Sequence, residues 1–165
     1  MVSRPSKRKP SSYKVRPEFL ISACLAGINC TYKGKNNLKA PLRRLFLSSK
    51  AIAVCPEVMG GLEVPRENAE IIGGKVITSS GKDITKNCLA GSRIALRLAR
   101  RYGIRKAILK ANSPSCGYIL IYDGTFSGTL AKGNGVLAGI LVKEGIRVMT
   151  EKSFSQLKSL KNDKG

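Results

Sequence analysis

The feature that most limits what this chain can become is a set of short apolar runs with no polar alternation. Residues 18–24 (EFLISAC), 51–55 (AIAVC) and 107–109 (AIL) are such runs, and 146–149 (IRVM) reads as a last strand. A strand with one wet face alternates apolar and polar side chains, whereas a strand covered on both faces does not. Shorter strands are expected at 76–78 and 118–122. Segments with a helical period lie between them. Residues 38–47 carry Pro41 in a first turn, and 85–102 place Leu89, Ala90, Ile94, Leu96, Leu98 and Ala99 at helical spacing. Asp83 or Thr85 caps the latter and Gly103 ends it, while a third helix runs over 134–144 to Gly145. Strand–helix–strand order with buried strands predicts an α/β fold: a mostly parallel sheet with helices on both faces, a Rossmann-like single domain. A length of 165 residues fits one domain, and 42% hydrophobic residues suffice for a core.

The organisation expected along the chain has three parts. Residues 1–17 hold six basic residues, three prolines and no acid, the composition of a disordered basic tail. Residues 18–150 form the α/β domain. Residues 151–165 are a polar C-terminal extension, expected to be loose. Within the domain, 56–75 show no sustained period and read as a long loop, functional or disordered. DGTFSG at 123–128 reads as a turn.

Several chemistries are excluded at once by the absence of histidine. Ser-His and Cys-His nucleophile pairs cannot form, and no metal can take an imidazole. Proton transfer must use carboxylates, lysine, tyrosine, thiols, hydroxyls or water. Net charge is +20, made of +6 in residues 1–17, +12 in 18–150 and +2 in 151–165. A basic body favours anionic partners, RNA through the basic tail among them; a generally basic proteome explains it equally well. No apolar run approaches the ~18 residues of a membrane-span candidate, and no secretory signal is evident, so a cytoplasmic location without membrane contact is expected.

Five cysteines in such a compartment do not read as a disulfide framework. Cys24 ends the first strand, Cys55 the second, and Cys116 follows the strand at 107–109. The carboxyl ends of parallel strands share one edge, where open α/β sheets place their ligands. Topology therefore delivers three thiols to one place. Gly27, Pro56, Pro114 and Gly117 bend the chain beside them. Three buried structural thiols are the competing reading. If the three bind metal, their softness selects zinc or an iron–sulfur cluster, and Cys30 is placed to close a fourth position. Cys88 falls within a helix among apolar neighbours and reads as core filler.

The motifs ISACLAGINC with Tyr32 and Gly34, VCPEVMGGLEVPRENAEI, GKDIT with LAGSRIAL, AILKANSPSCG, IYDGTFSG and GNGVLAG occur in this order. As a set, over residues 19–150, they resemble the bacterial family, formerly of unknown function, that includes the 2-thiouracil desulfurases. The resemblance implies that Cys24, Cys55 and Cys116 bind a 4Fe-4S cluster. Its fourth iron lacks a protein ligand and takes the sulfur of a thiolated nucleobase or nucleoside, which water then replaces without net redox chemistry. Two positions depart from the family pattern. Thr31-Tyr32-Lys33-Gly34 stands where Arg-Tyr-Asp-Gly is usual, so Lys33 brings an ammonium to the site mouth. Cys88 stands where an aromatic is common.

The remaining chemistry has few candidates. Glu57, two residues after Cys55, is a candidate general base or base-edge acceptor, or else a capping carboxylate. Ser113 and Ser115 flank Pro114 beside Cys116 and can donate to cluster or substrate, or serve the turn alone. Arg66 in the long loop and Asp123 in the turn are candidate substrate-binding residues. Arg93, Arg97, Arg100 and Arg101 share one helix with no acid in it, either as an RNA-facing stripe or as a solvated face. Two functions follow from different classes. One is cluster-dependent desulfuration of a thiolated nucleobase or nucleoside. The other is nucleic-acid binding by a basic protein with a structural metal site and no catalysis.

Overall fold

The computed structural model describes residues 15–162, so the basic segment 1–17 lies almost wholly outside the described residues. Four strands, β1 (Phe19–Ser22), β2 (Ala51–Val54), β5 (Lys106–Leu109) and β8 (Arg147–Thr150), form a parallel sheet in the order β2-β1-β5-β8. Phe19 is in register with Ala51 on one side and Lys106 on the other, and Lys106 with Arg147.

Successive strand residues serve opposite faces, which accounts for the unbroken apolar runs. Leu20, Ala107, Leu109 and Val148 pack with Ala95 and Ala99 of α3 (Thr85–Tyr102) and Leu137 and Leu141 of α4 (Val136–Lys143). Ile21, Ile108 and Met149 pack with Leu42 of α1 (Ala40–Leu47) and Phe154 of α5 (Glu151–Asn162). Leu20, Ile21, Ile108 and Leu109 have no exposed surface. Each contributes roughly 1.5–3 kcal/mol by burial. This is the expected α/β sheet with helices on both faces.

Three segments differ from the sequence expectation. Residues 151–162 are a helix rather than a loose extension. Phe154 supplies an apolar contact to the second face, and Glu151 is buried at the helix start. The supposed irregular loop 56–75 contains one helical turn, α2 (Pro56–Met59), and a strand, β3 (Ala69–Ile72). That strand pairs antiparallel with β4 (Lys75–Thr78) around Gly73-Gly74, both at positive φ, the conformation a two-residue hairpin needs. Likewise β6 (Leu120–Tyr122) returns as β7 (Leu130–Lys132), a strand the sequence did not signal. At the start of α3 the residue before the helix is Ile84, with no side-chain cap. Asp83 accepts the Thr85 N–H at 2.9 Å, while the Thr85 hydroxyl accepts the Val76 N–H and ties the helix to β4.

The short turn α2 is seated on α3 through bare backbone. A Cβ at Gly91 would lie 1.7 Å from the Pro56 carbonyl oxygen, and one at Gly60 1.9 Å from that of Asn87. The Asn87 amide in turn donates to the Gly60 carbonyl at 2.9 Å. No side chain is available to give way, so the backbones must separate. Gly91→Ala is therefore expected to destabilise the protein by about 1–3 kcal/mol, the usual cost of overpacking. A thermal melt reads this as a lowered midpoint, and an unchanged midpoint would refute the contact.

The sheet order also locates the binding edge. From the central β1 the chain goes first to β2 on one side and later to β5 on the other. The loops leaving β1 and β5 thus diverge at their carboxyl ends and open a crevice there.

Candidate functional site

Each of the three predicted cysteines leaves a different strand at that crevice. After β1 the chain tightens into a 3-10 turn, Ala23–Ala26, which carries Cys24 and is closed by Gly27 at φ 92. Cys55 follows β2 as the residue preceding α2. Cys116 follows β5 in a loop held tight at Gly117, where a Cβ would come 2.6 Å from the Ser113 carbonyl. Cys24, Cys55 and Cys116 line one cavity of about 530 Å³, and so does Cys30. That volume lies within the range of small-molecule sites. Among the described residues, no three Cys, Asp or Glu side chains converge on a point that would hold a single metal ion.

Thiol protonation is uneven across the site. The neighbouring Cys30 thiol holds Cys24 below the ordinary thiol range and Cys55 at about 7, the latter helped by the Val58 N–H at the start of α2. Contact with Cys24, and then with Cys55, pushes Cys30 itself far up. Burial pushes Cys116 well up. Cys88 is away from the cavity, fully buried beside Val76 and Ile84, and burial lifts it to about 11. It is core filler.

The predicted polar residues divide into those that face the cavity and those that support it. Glu57 lies in the first turn of α2 and lines the cavity. Its Oε2 accepts Arg66 Nε at 2.7 Å and its Oε1 accepts the Ser115 hydroxyl at 2.9 Å. Arg66 also donates to the carbonyls of Glu63 and Cys30, at 3.1 and 2.9 Å. Its guanidinium is thus committed to three protein acceptors although it lines the cavity. Ser115 is buried outside the cavity wall, with its hydroxyl on Glu57 and 3.7 Å from the Cys88 sulfur. Ser113 lines the cavity, and its Oγ accepts the N–H groups of Ser115 and Cys116, each at 3.1 Å. Asp123 is not in the cavity wall: its Oδ1 accepts the Thr125 N–H and hydroxyl inside the turn. Arg100 has an acid partner after all, Glu144 at the end of α4, which no inspection of its own helix would find.

Lys110 and Glu70 are among the cavity residues that escaped the sequence reading. Lys110, one residue past β5, sits 3.2 Å from Glu151, which also accepts the Ala111 N–H at 2.7 Å. Glu70 of β3 is buried at the cavity and bonds the distant turn at 124–126. Position directly after a buried strand could have flagged Lys110. Nothing local flagged Glu70.

The chain is similar to known proteins over most of its length. A family model described as 2-thiouracil desulfurase matches residues 19–153. The uncharacterized protein YbbK of Bacillus subtilis (strain 168) is 41% identical over 149 residues, covering 84% of this chain and 99% of its own. The solved structure of a 4Fe-4S-dependent thiouracil desulfidase, TudS, superposes with a TM-score of 0.80 at 38% identity, covering 89% of this chain and 99% of that one. No described helix is long and apolar enough to cross a membrane.

Proposed function

Because this chain belongs to the 2-thiouracil desulfurase family, we propose that it desulfurates a thiolated nucleobase or nucleoside such as 2-thiouracil, with a 4Fe-4S cluster held by Cys24, Cys55 and Cys116. The observation that carries the proposal is the meeting of three cysteines from three separate strand ends in one cavity with Glu57 and Ser113. The donor set fits the cluster. It is all thiol, in a chain without histidine, and its three members line one cavity. A cluster bound by three thiolates supplies an iron that is Lewis-acidic towards sulfur.

The net reaction converts C=S and water into C=O and hydrogen sulfide, with no oxidant or reductant. Two protons must pass from water to the departing sulfur. Glu57 is positioned as the acceptor: Arg66 and Ser115 each bind one of its oxygens, fixing the carboxylate at the cavity wall. Ser113 is positioned as a donor. Its oxygen already accepts two N–H groups, and its own hydrogen has no acceptor among the described residues, so that hydrogen is free for the base or its sulfur. Arg66 and Ser115 orient Glu57 and take no proton themselves. Lys110 lines the same wall with its ammonium paired to Glu151.

Anaerobic reconstitution tests the reading. Iron and acid-labile sulfide are expected in equal amounts, about four of each per chain, as 4Fe-4S stoichiometry requires. The loaded protein is expected to turn 2-thiouracil into uracil and sulfide. A colourless zinc protein that converts no thiolated base would instead support the nucleic-acid-binding alternative, which the charge of +20 favours.

A further inference from the structure

The groups described so far address the edge of a base and its sulfur, and none addresses its faces. The cavity is also walled by the two small hairpins, through Glu70 of β3 and through Tyr122, Phe126 and Gly128 of the β6–β7 hairpin. Phe126 has φ 57, a left-handed conformation that a bulky residue seldom adopts and that persists only where the surroundings impose it.

The surroundings here do so in detail. Glu70, 6% exposed, accepts the N–H of Gly124 at 2.9 Å and that of Phe126 at 3.0 Å through one oxygen. Asp123 accepts the intervening Thr125 N–H at 2.9 Å. Three successive amides of the turn are thereby pinned to carboxylates. Gly124, at φ 90, lies so close to β3 that a Cβ would be 2.8 Å from the Ile71 carbonyl. A buried acid on one hairpin thus fixes a strained aromatic residue on the other, at the cavity wall. The phenyl ring has no donor or acceptor, so what it can offer a planar base is its face.

Resting on the desulfurase reading for the kind of ligand, we propose that Phe126 is the platform on which the pyrimidine ring of the substrate stacks. Glu70 is the positioning residue that holds it there.

Kinetics of the cluster-loaded protein test this directly. Phe126→Gly removes the ring and relieves the left-handed strain, so its melting point should not fall. Its KM for 2-thiouracil should rise about tenfold, in keeping with base–aromatic stacking, with kcat within about twofold. Phe126→Tyr should keep the wild-type KM. Glu70→Ala should raise KM like Phe126→Gly, and Glu70→Gln should restore it, because the amide oxygen still accepts both N–H groups. An unchanged KM in Phe126→Gly overturns the platform, and no rescue by Glu70→Gln overturns the role of Glu70. Should the loaded wild type leave 2-thiouracil untouched, the activity reading fails, and a second measurement still decides the platform. The chain has no tryptophan, so Phe126→Trp introduces a single indole. Saturable quenching of its fluorescence by uracil supports stacking, and its absence overturns it.

Discussion

Replacing Cys24, Cys55 or Cys116 by alanine is expected to reduce bound iron to background after anaerobic reconstitution, while Cys30→Ser and Cys88→Ala retain full iron and sulfide. Each of the first three removes one of only three proposed thiolates, and no histidine exists to stand in. The control at Cys88 is simple, since that thiol is buried on α3 outside the cavity. Cys30 is the sharper control because it lines the same cavity and its carbonyl accepts the Cys55 thiol at 3.8 Å. The same carbonyl also accepts Arg66. Serine keeps one donor hydrogen at almost the same size and leaves that carbonyl in place. Iron and sulfide analysis reads the result, and adding 2-thiouracil should perturb the visible spectrum of wild type and Cys30→Ser alike. Loss of iron in Cys30→Ser would mean a site closed by four thiolates, with no iron open to substrate, and the desulfurase reading would fail.

The second large effect is expected at Glu57. Glu57→Gln should retain the cluster and lose activity by about 10²–10⁴-fold, the range for a positioned acid–base group. The amide keeps the shape and a hydrogen-bonding oxygen but cannot take a proton. Arg66→Ala should act on the same carboxylate from behind. The pair is mostly buried, with side chains 11% and 15% exposed, so losing the guanidinium strands a carboxylate in poor solvent. A cost of up to about 3 kcal/mol is expected in a thermal melt, along with reduced kcat. Arg66→Lys should rescue neither, because one ammonium cannot span the acceptors on Glu57, Glu63 and Cys30. Full activity in Glu57→Gln would remove this residue from the mechanism.

Much of this architecture was legible because strand burial and turn chemistry are local properties. FLIS, AIAV and KAIL lack alternation because Leu20 and Ile21, or Ala107 and Ile108, face helices on opposite sides. That same pattern implied a parallel sheet, and a parallel sheet puts the residues after its strands on one edge. Cys24, Cys55 and Cys116 could be grouped on that ground before any coordinates, and Glu57 came with Cys55 by adjacency. The strand β3 was missed because Glu70 interrupts its apolar run, and a buried acid in a four-residue strand is indistinguishable from a loop residue until its partners are known. The helix α5 was missed because its segment is mostly polar: among the described residues Phe154 supplies its apolar contact, and Glu151 is buried through partners distant in sequence.

Local periodicity, composition and chain order by themselves determined the fold class, the shared edge of the three thiols and the exclusion of histidine chemistry. Each depends on neighbours in sequence or on the one rule that parallel strands end together. Which polar groups serve the cavity was decided only by tertiary structure. Arg66 met Glu57, Asp123 closed on its own turn, and Arg100 found Glu144 44 residues away. Glu70 reached across to Phe126 from 56 residues away. The physical reason is that a charged side chain's role is set by whichever partner lies within hydrogen-bonding distance, and that distance is a property of the packed chain.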